Sequence, residues 1–162
     1  MAIVFLSLGS NIGDRLHFLV AAKKEINIKI GSIICESSIY EAESWGFSTE
    51  NFFLNQVIKV NTTLSAIEIL NEIKNIEILL GRTRKDINSY EDRIIDIDIL
   101  FYDNLIINLE NLKVPHPLIP MRRFVLEPLN EICADYNHPG YNKKISQLLF
   151  ECTDKSKITK IT

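Results

Sequence analysis

Residues 93–101 read Arg-Ile-Ile-Asp-Ile-Asp-Ile-Leu-Phe, and this run constrains the fold more than any other. β-Branched and aromatic residues favour strands, whose side chains alternate between two faces. Ile95, Ile97, Ile99 and Phe101 are expected to share a core face, with Ile94, Asp96, Asp98 and Leu100 on the other. Asp is depleted in strands, so two acids at i and i+2 inside an isoleucine run need a reason. Their Cα atoms would stand roughly 6.5–7 Å apart on one surface. Carboxylates so placed can converge on a hard cation such as Mg²⁺, which takes oxygen ligands and often holds nucleotide phosphates. The plainer alternative is a solvated strand face that carries two acids by chance, because Asp-x-Asp alone is a weak motif.

The 162 residues suit one compact domain spanning the chain. Charged residues at 24% and hydrophobic ones at 46% are ordinary for a globular protein. A net charge of −3 argues against nucleic-acid binding through bulk electrostatics. The apolar runs 52–60 and 94–101 are too short and too polar to cross a bilayer. The opening Met1-Ala2-Ile3-Val4-Phe5-Leu6 lacks a basic lead-in and a small-residue cleavage site, and reads as a strand. Cys35, Cys133 and Cys152 lie far apart, with no Cys-x-x-Cys or Cys-x-x-His pair. Reduced thiols in a cytoplasmic protein are the expectation.

Along the chain, a buried strand over 2–8 leads into the turn Gly9-Ser10-Asn11-Ile12-Gly13-Asp14 and a helix from Arg15 to Ile28. Amides at that helix start could hold an anion, although a capped strand-to-helix turn explains them as well. Residues 32–41 read as a second strand, and 53–61 as a third. Between them lies a polar loop with Trp45 and Phe47, either a wall for a flat ligand or a plug at the core edge. Alternation puts Asn55 on the same face as Phe53, an amide beside a ring. A planar heterocycle would suit that pair; a cross-strand hydrogen bond would also explain it. The capping box Ser65-x-x-Glu68 opens a second helix that Gly81 ends, with Glu77 one turn before the stop. The aperiodic, basic segment 82–93 reads as a mobile loop feeding the acidic strand. Beyond it, a short helix over 121–126 is expected to end near Pro128, another helix covers 144–152, and the tail 153–162 is expected to be loosely held. Strand, helix, strand, strand, helix, strand fits a ferredoxin-like α+β sandwich, a mostly antiparallel sheet with helices on one face.

The parts make a stronger case together. Asp96 and Asp98 could bind Mg²⁺, while Arg82, Arg84, Lys85, Arg93, Arg122 and His116 could contact phosphate oxygens. Phosphoryl-type transfer needs that combination of metal, cationic donors and a positioned nucleophile. Arg suits phosphate because its planar fork binds bidentately and keeps its charge.

The sequence also resembles the 6-hydroxymethyl-7,8-dihydropterin pyrophosphokinase family from Ala2 to Phe150. The resemblance rests on Leu8-Gly9-Ser10-Asn11, Phe53-Leu54-Asn55, Gly81-Arg82-Thr83-Arg84, the 93–100 run, Val114-Pro115-His116-Pro117 and Arg122-Arg123-Phe124. It implies transfer of diphosphate from ATP to the pterin hydroxymethyl group with release of AMP. Asp96 and Asp98 would hold two Mg²⁺ ions, with Arg82 and Arg93 as catalytic arginines on a closing loop. Glu77, Arg84, Ile99, His116 and Arg122 would face ATP, and Tyr90 is the candidate loop aromatic. The pterin would be held by Asn55, stacked between Phe53 and Phe124, and edged by Ala42, Trp45 and Gly46. Glu91-Asp92 stands where the family often has a small pair such as Gly-Pro, in a loop about one residue longer than in some relatives. Asp96 is one candidate base for the pterin hydroxyl; a metal-bound hydroxyl could lose its proton unaided. Small-molecule substrates, no nucleic acid, no membrane and a monomer are expected. The competing readings are a ferredoxin-like binding module, and a kinase that transfers only the γ-phosphoryl group.

Overall fold

A computed structural model describes residues 1–83 and 91–161. The chain runs β1 (Ala2–Ser10), α1 (Arg15–Lys29), β2 (Ser32–Glu36), β3 (Tyr40–Ala42), β4 (Phe53–Thr62), α2 (Ala66–Leu79) and β5 (Asp96–Tyr102). It continues through β6 (Ile107–Asn108), β7 (Lys113–Val114), a 3₁₀ turn (Ile119–Met121), α3 (Arg123–Cys133), β8 (Asn137–His138), β9 (Lys143–Lys144), α4 (Ile145–Glu151) and β10 (Ile158–Lys160).

The main sheet is antiparallel and ordered β10-β3-β4-β1-β5, with β2 pairing the rest of the β4 edge. Apolar residues on both faces of β1 explain why it lies inside the sheet. On one face Val4, Leu6 and Leu8 pack with Leu19 and Ile26 of α1 and Ile69 and Ile73 of α2. On the other, Phe5 packs with Val125 and Leu129 of α3 and Ile145 and Leu148 of α4. The α+β sandwich is as expected, but helices cover both faces rather than one.

Local chemistry explains the other departures. The expected second strand splits at Ser37, whose hydroxyl accepts the Val57 N–H at 3.0 Å and so takes over a ladder position. The Pro128 stop is overridden, since α3 runs on to Cys133. An interior proline costs ~3 kcal/mol. Burying Val125, Leu126 and Leu129 offsets it at roughly 1.5–3 kcal/mol each. The tail is not loose: β10 pairs with β3, and Asp154 Oδ2 accepts the first N–H of α3, from Arg123, at 3.0 Å.

The acidic strand starts at Asp96, later than expected, and its pairing with β1 skips Leu100, as Leu6 faces Ile99 and Phe5 faces Phe101. That bulge turns Phe101 into the α3 and α4 core, away from Ile95, Ile97 and Ile99. The capping box of α2 is formed, with Ser65 Oγ accepting the Glu68 N–H at 3.3 Å and Glu68 accepting the Ser65 N–H at 2.7 Å. Gly81, at φ +110°, then turns the chain so that Arg82 enters beneath β5.

Candidate active site

β1 brings the two strand motifs together. Gly9 lies opposite Asn55 of β4 on one side and Asp96 of β5 on the other, while Ser7 lies between Val57 and Asp98. All of these point to the α3 face of the sheet. Because Ser7 and Gly9 are small, a cleft of about 490 Å³ opens over them, walled by Glu43, Trp45, Phe47, Phe53, Arg122 and Phe124. A Cβ on Gly9 would meet Asn55 Oδ1 at 3.0 Å and the Phe53 ring at 3.5 Å. Glycine therefore fits where both side chains must stay.

The aromatic wall is assembled from three segments. Phe47 and Phe53 meet edge to face at 6.2 Å. The Arg122 guanidinium lies 4.7 Å from the Trp45 ring and 5.6 Å from the Phe124 ring, within cation–π range. Asn55 is buried, and its side-chain Nδ2 has no partner among the described residues. A buried amide donor without a partner costs about 1–3 kcal/mol. A ligand acceptor would satisfy it.

The two acids are compensated unequally. Asp96 accepts from Arg82 at 3.0 Å and from Arg93 at 3.1 Å, one guanidinium on each oxygen. Arg82 also pairs with Glu77 at 2.9 Å, and Glu77 accepts the Ile97 N–H at 2.8 Å. Burial, then the Asp96 charge, raises the Glu77 carboxyl above its usual range; Arg82 opposes this. Asp98 has looser neighbours, Arg122 at 3.8 Å and the imidazole of His116 at 3.9 Å. Desolvation, then the Asp96 charge, pushes its carboxyl up to about 7. A carboxylate so poorly neutralised suits a cation. Burial, then Arg122, lowers His116 to about 4, so its ring is neutral at pH 7. Since His116 Nδ1 accepts the Leu118 N–H at 3.2 Å, the remaining ring proton sits on Nε2, toward Asp98.

A second cleft, of about 710 Å³, lies along the outer edge of β5, the last strand of the sheet, and shares Asp98 with the first. Ile99, Leu112, Lys113 and His116 line it. Glu77 takes the outward N–H of Ile97, and Ile99, two residues on, turns its backbone the same way toward this cleft.

Among the described residues no group of three or more His, Cys, Asp or Glu could hold a metal ion. The Asp96 and Asp98 pair fits Mg²⁺ on other grounds. Mg²⁺ commonly takes one or two carboxylates and completes its octahedron with phosphate oxygens and water.

Of the expected site residues, Arg93, Asp96, Asp98, Arg122, Trp45, Phe53, Asn55 and Phe124 line the first cleft, and Ile99, His116 and again Asp98 line the second. Arg82 and Glu77 are buried behind Asp96. Ala42 is buried in β3 opposite Phe53, and Gly46, at φ +85°, shapes the loop; neither is part of the cleft lining. Arg84, Lys85 and Tyr90 lie outside the described residues. Phe47, set beside Trp45 in the sequence as a wall for a flat ligand or a plug at the core edge, lies in the cleft lining, whereas the sequence reading missed Ser7, Gly9 and Glu43 as cleft residues. Only the glycine in a strand, a sign of close approach, offered a signal.

Paired carboxylates beside several guanidiniums, with an aromatic cleft on one side and an outer strand edge on the other, define an enzyme of the phosphoryl-transfer class. The comparisons narrow this. Residues 5–134 match the family described as 7,8-dihydro-6-hydroxymethylpterin-pyrophosphokinase. The chain is 41% identical over 157 residues to an Aquifex aeolicus 2-amino-4-hydroxy-6-hydroxymethyldihydropteridine pyrophosphokinase, covering 96% of this chain and 95% of that protein. It is 42% identical over 141 residues to the protein of that name from Porphyromonas gingivalis, covering 86% and 95%. The folic acid synthesis protein of Pneumocystis carinii is 40% identical over 151 residues, which span 93% of this chain but 20% of that one. Among solved structures, the Plasmodium falciparum HPPK-DHPS wild type superposes with a TM-score of 0.73 at 18% identity, over 93% of this chain and 44% of that chain. The chain belongs to the 7,8-dihydro-6-hydroxymethylpterin-pyrophosphokinase family.

No described helix is long and apolar enough to cross a membrane.

Proposed function

We propose that the two clefts meeting at Asp98 hold the two substrates of one diphosphate transfer. The reaction is the family's: pyrophosphate passes from ATP to 7,8-dihydro-6-hydroxymethylpterin in folate synthesis. The pterin hydroxymethyl oxygen forms a bond to the β-phosphorus of ATP. The bond from that phosphorus to the α–β bridging oxygen breaks, AMP leaves, and the hydroxyl proton is released. The observation that carries this reading is the Asn55 Nδ2, without a partner among the described residues, beside Phe53 and two strands from the acid pair.

In this reading the pterin lies in the first cleft. Asn55 hydrogen-bonds the ring edge, Phe53 and Phe124 stack on its faces, and the loop with Ala42, Trp45 and Gly46 closes the side. ATP occupies the β5 edge, with its base near Ile99 and its phosphates toward Asp98. Glu77 holds the edge strand and Arg82 in place. Arg82, Arg93, Arg122 and His116 donate to phosphate oxygens, and Arg84 and Tyr90 would add contacts from the segment outside the described residues. Asp96 and Asp98 would hold two Mg²⁺ ions, whose bound charge neutralises the phosphate oxygens that the guanidiniums do not reach.

The guanidiniums now on Asp96 and Asp98 are then shared with phosphates, which spreads the developing negative charge. Arg122 changes its aromatic neighbours for an anion without losing charge. The free cysteines fit a reducing cytoplasm.

Calorimetric titration tests the division of the clefts. Asn55→Ala should weaken pterin binding by about 10-fold or more while leaving ATP binding in Mg²⁺ intact. Asp98→Ala should weaken ATP binding in Mg²⁺ more than pterin binding. If Asn55→Ala bound pterin as tightly as the unaltered chain, the pterin assignment would be wrong.

A further inference from the structure

We propose that Asp92 is a positioning residue for pterin: its carboxylate clasps the aromatic wall of the cleft to the segment that enters β5. The proposal rests on the first cleft being the pterin site.

Two chain segments converge on this side chain, which itself stands in a third. Asp92 Oδ1 accepts from Asn11 Nδ2, in the turn after β1, at 2.7 Å. Its Oδ2 accepts from Asn51 Nδ2 at 2.7 Å and from Thr49 Oγ1 at 3.2 Å. Both of these belong to the loop between β3 and β4, the loop that carries Trp45 and Phe47 into the cleft. Asn11 continues the link: its Oδ1 accepts the Arg93 N–H at 2.6 Å, and its own N–H donates to the Arg93 carbonyl at 3.1 Å. Arg93 in turn holds Asp96 at 3.1 Å.

The chemistry requires an ionised acceptor at position 92. Two amide N–H groups and a hydroxyl converge on it, and a carboxylate can accept all three. Burial works against its charge, but the bonds from Asn51, Thr49 and Asn11 and the nearby Arg93 outweigh that, and the carboxyl lies below its usual range. An amide in its place would turn N–H₂ against one of those donors.

The arrangement separates two effects. Arg93 is held to Asn11 by a main-chain bond, from the Asn11 N–H to the Arg93 carbonyl, and by the Asn11 side-chain oxygen, neither of which uses Asp92 as a partner, so the phosphate side keeps its geometry without the clasp. The loop side does not. Loss of the carboxylate releases Thr49 and Asn51, and with them the placement of Trp45 and Phe47. A wall displaced by about 1 Å can change a rate or affinity by up to roughly 100-fold.

The test is steady-state kinetics of the full chain with each substrate varied in turn. Asp92→Ala should raise the pterin KM about 10- to 100-fold with the ATP KM unchanged, while the loss of its three hydrogen bonds lowers the melting temperature by roughly a few degrees. The exchanged pair, Asp92→Asn with Asn51→Asp, restores a carboxylate–amide bond with its ends reversed and should recover most of the pterin KM. An unchanged pterin KM in Asp92→Ala overturns the proposal. So does a parallel shift of both KM values, because the residue would then be merely structural. If the unaltered chain turned over no pterin, the functional reading would have failed instead, and amide hydrogen exchange would decide the clasp alone. Faster exchange over residues 43–52 in Asp92→Ala would uphold it, and unchanged exchange would overturn it.

Discussion

Gly9 and Asn55 stand directly opposite each other on β1 and β4, so close that a Cβ on Gly9 would lie 3.0 Å from the Asn55 side-chain oxygen. A side chain at position 9 would press the amide aside by a few tenths of an ångström. Gly9→Ala should raise the pterin KM by about 10-fold through Asn55, with Asn55→Ala and the double variant no worse than additive. Stability should change by no more than about 1 kcal/mol, since alanine is otherwise tolerated in a strand. Kinetics and denaturant melts on the three variants check both parts.

Asp98 is the less neutralised of the two acids, and it lines both clefts. Asp98→Ala should lower turnover by at least about 1,000-fold, the scale of losing a main electrostatic element of a transfer site. The fold should remain, as circular dichroism would show. Near-normal rates would remove Asp98 from the mechanism.

Glu77 is held between Arg82 and the Ile97 N–H beneath the edge strand. Glu77→Ala leaves a buried guanidinium short of a partner and a backbone donor orphaned, and should destabilise the protein by about 3 kcal/mol. Glu77→Gln keeps the acceptor for Ile97 and should lose less. A side chain that only touched adenosine would instead raise the ATP KM and leave the denaturation midpoint where it was.

Two histidines make stability depend on pH. Burial lowers His116 to about 4 and also lowers His138, whose Nδ1 accepts N–H groups from Gly140 and Tyr141. Below about pH 6.5 the unfolded chain takes up histidine protons that the folded chain refuses, so the histidine contribution to stability is fully present at higher pH and is lost as pH falls toward the lowered folded values. The raised carboxyls of Glu77 and Asp98 act the other way over the same range, so the histidine share is read as a difference between variants. As pH falls from 7.5 to 5 the denaturation midpoint of His138→Gln, which stays neutral, should rise relative to that of the unaltered chain, and an equal pH dependence would refute the assignment.

The start of α3, where Arg122 and Phe124 stand, is fastened by Asp154 through the Arg123 N–H. Asp154→Ala should cost about 1 kcal/mol, the usual value of a lost helix cap, read from thermal melts.

What was legible in the sequence followed from local periodicity. Phe53 with Asn55, and Asp96 with Asp98, share faces because strand alternation needs no knowledge of neighbours. Their meeting across Gly9 depends on the register of three strands, which no single segment encodes. The Leu100 bulge that redirects Phe101 was hidden for the same reason. The continuation of α3 past Pro128 and the docking of the tail arise from tertiary burial that overrides local propensity. Glu77 did leave a trace. It falls four residues after Ile73 on the buried stripe of α2, where a carboxylate needs a partner.

The most direct measurement combines the purified chain, Mg²⁺, ATP and reduced 6-hydroxymethylpterin, and resolves the nucleotides by chromatography. AMP that forms only with pterin present, and fails to form without Mg²⁺, is the result expected from the two clefts meeting at Asp98. ADP as the product, or AMP formed at the same rate without pterin, would contradict it.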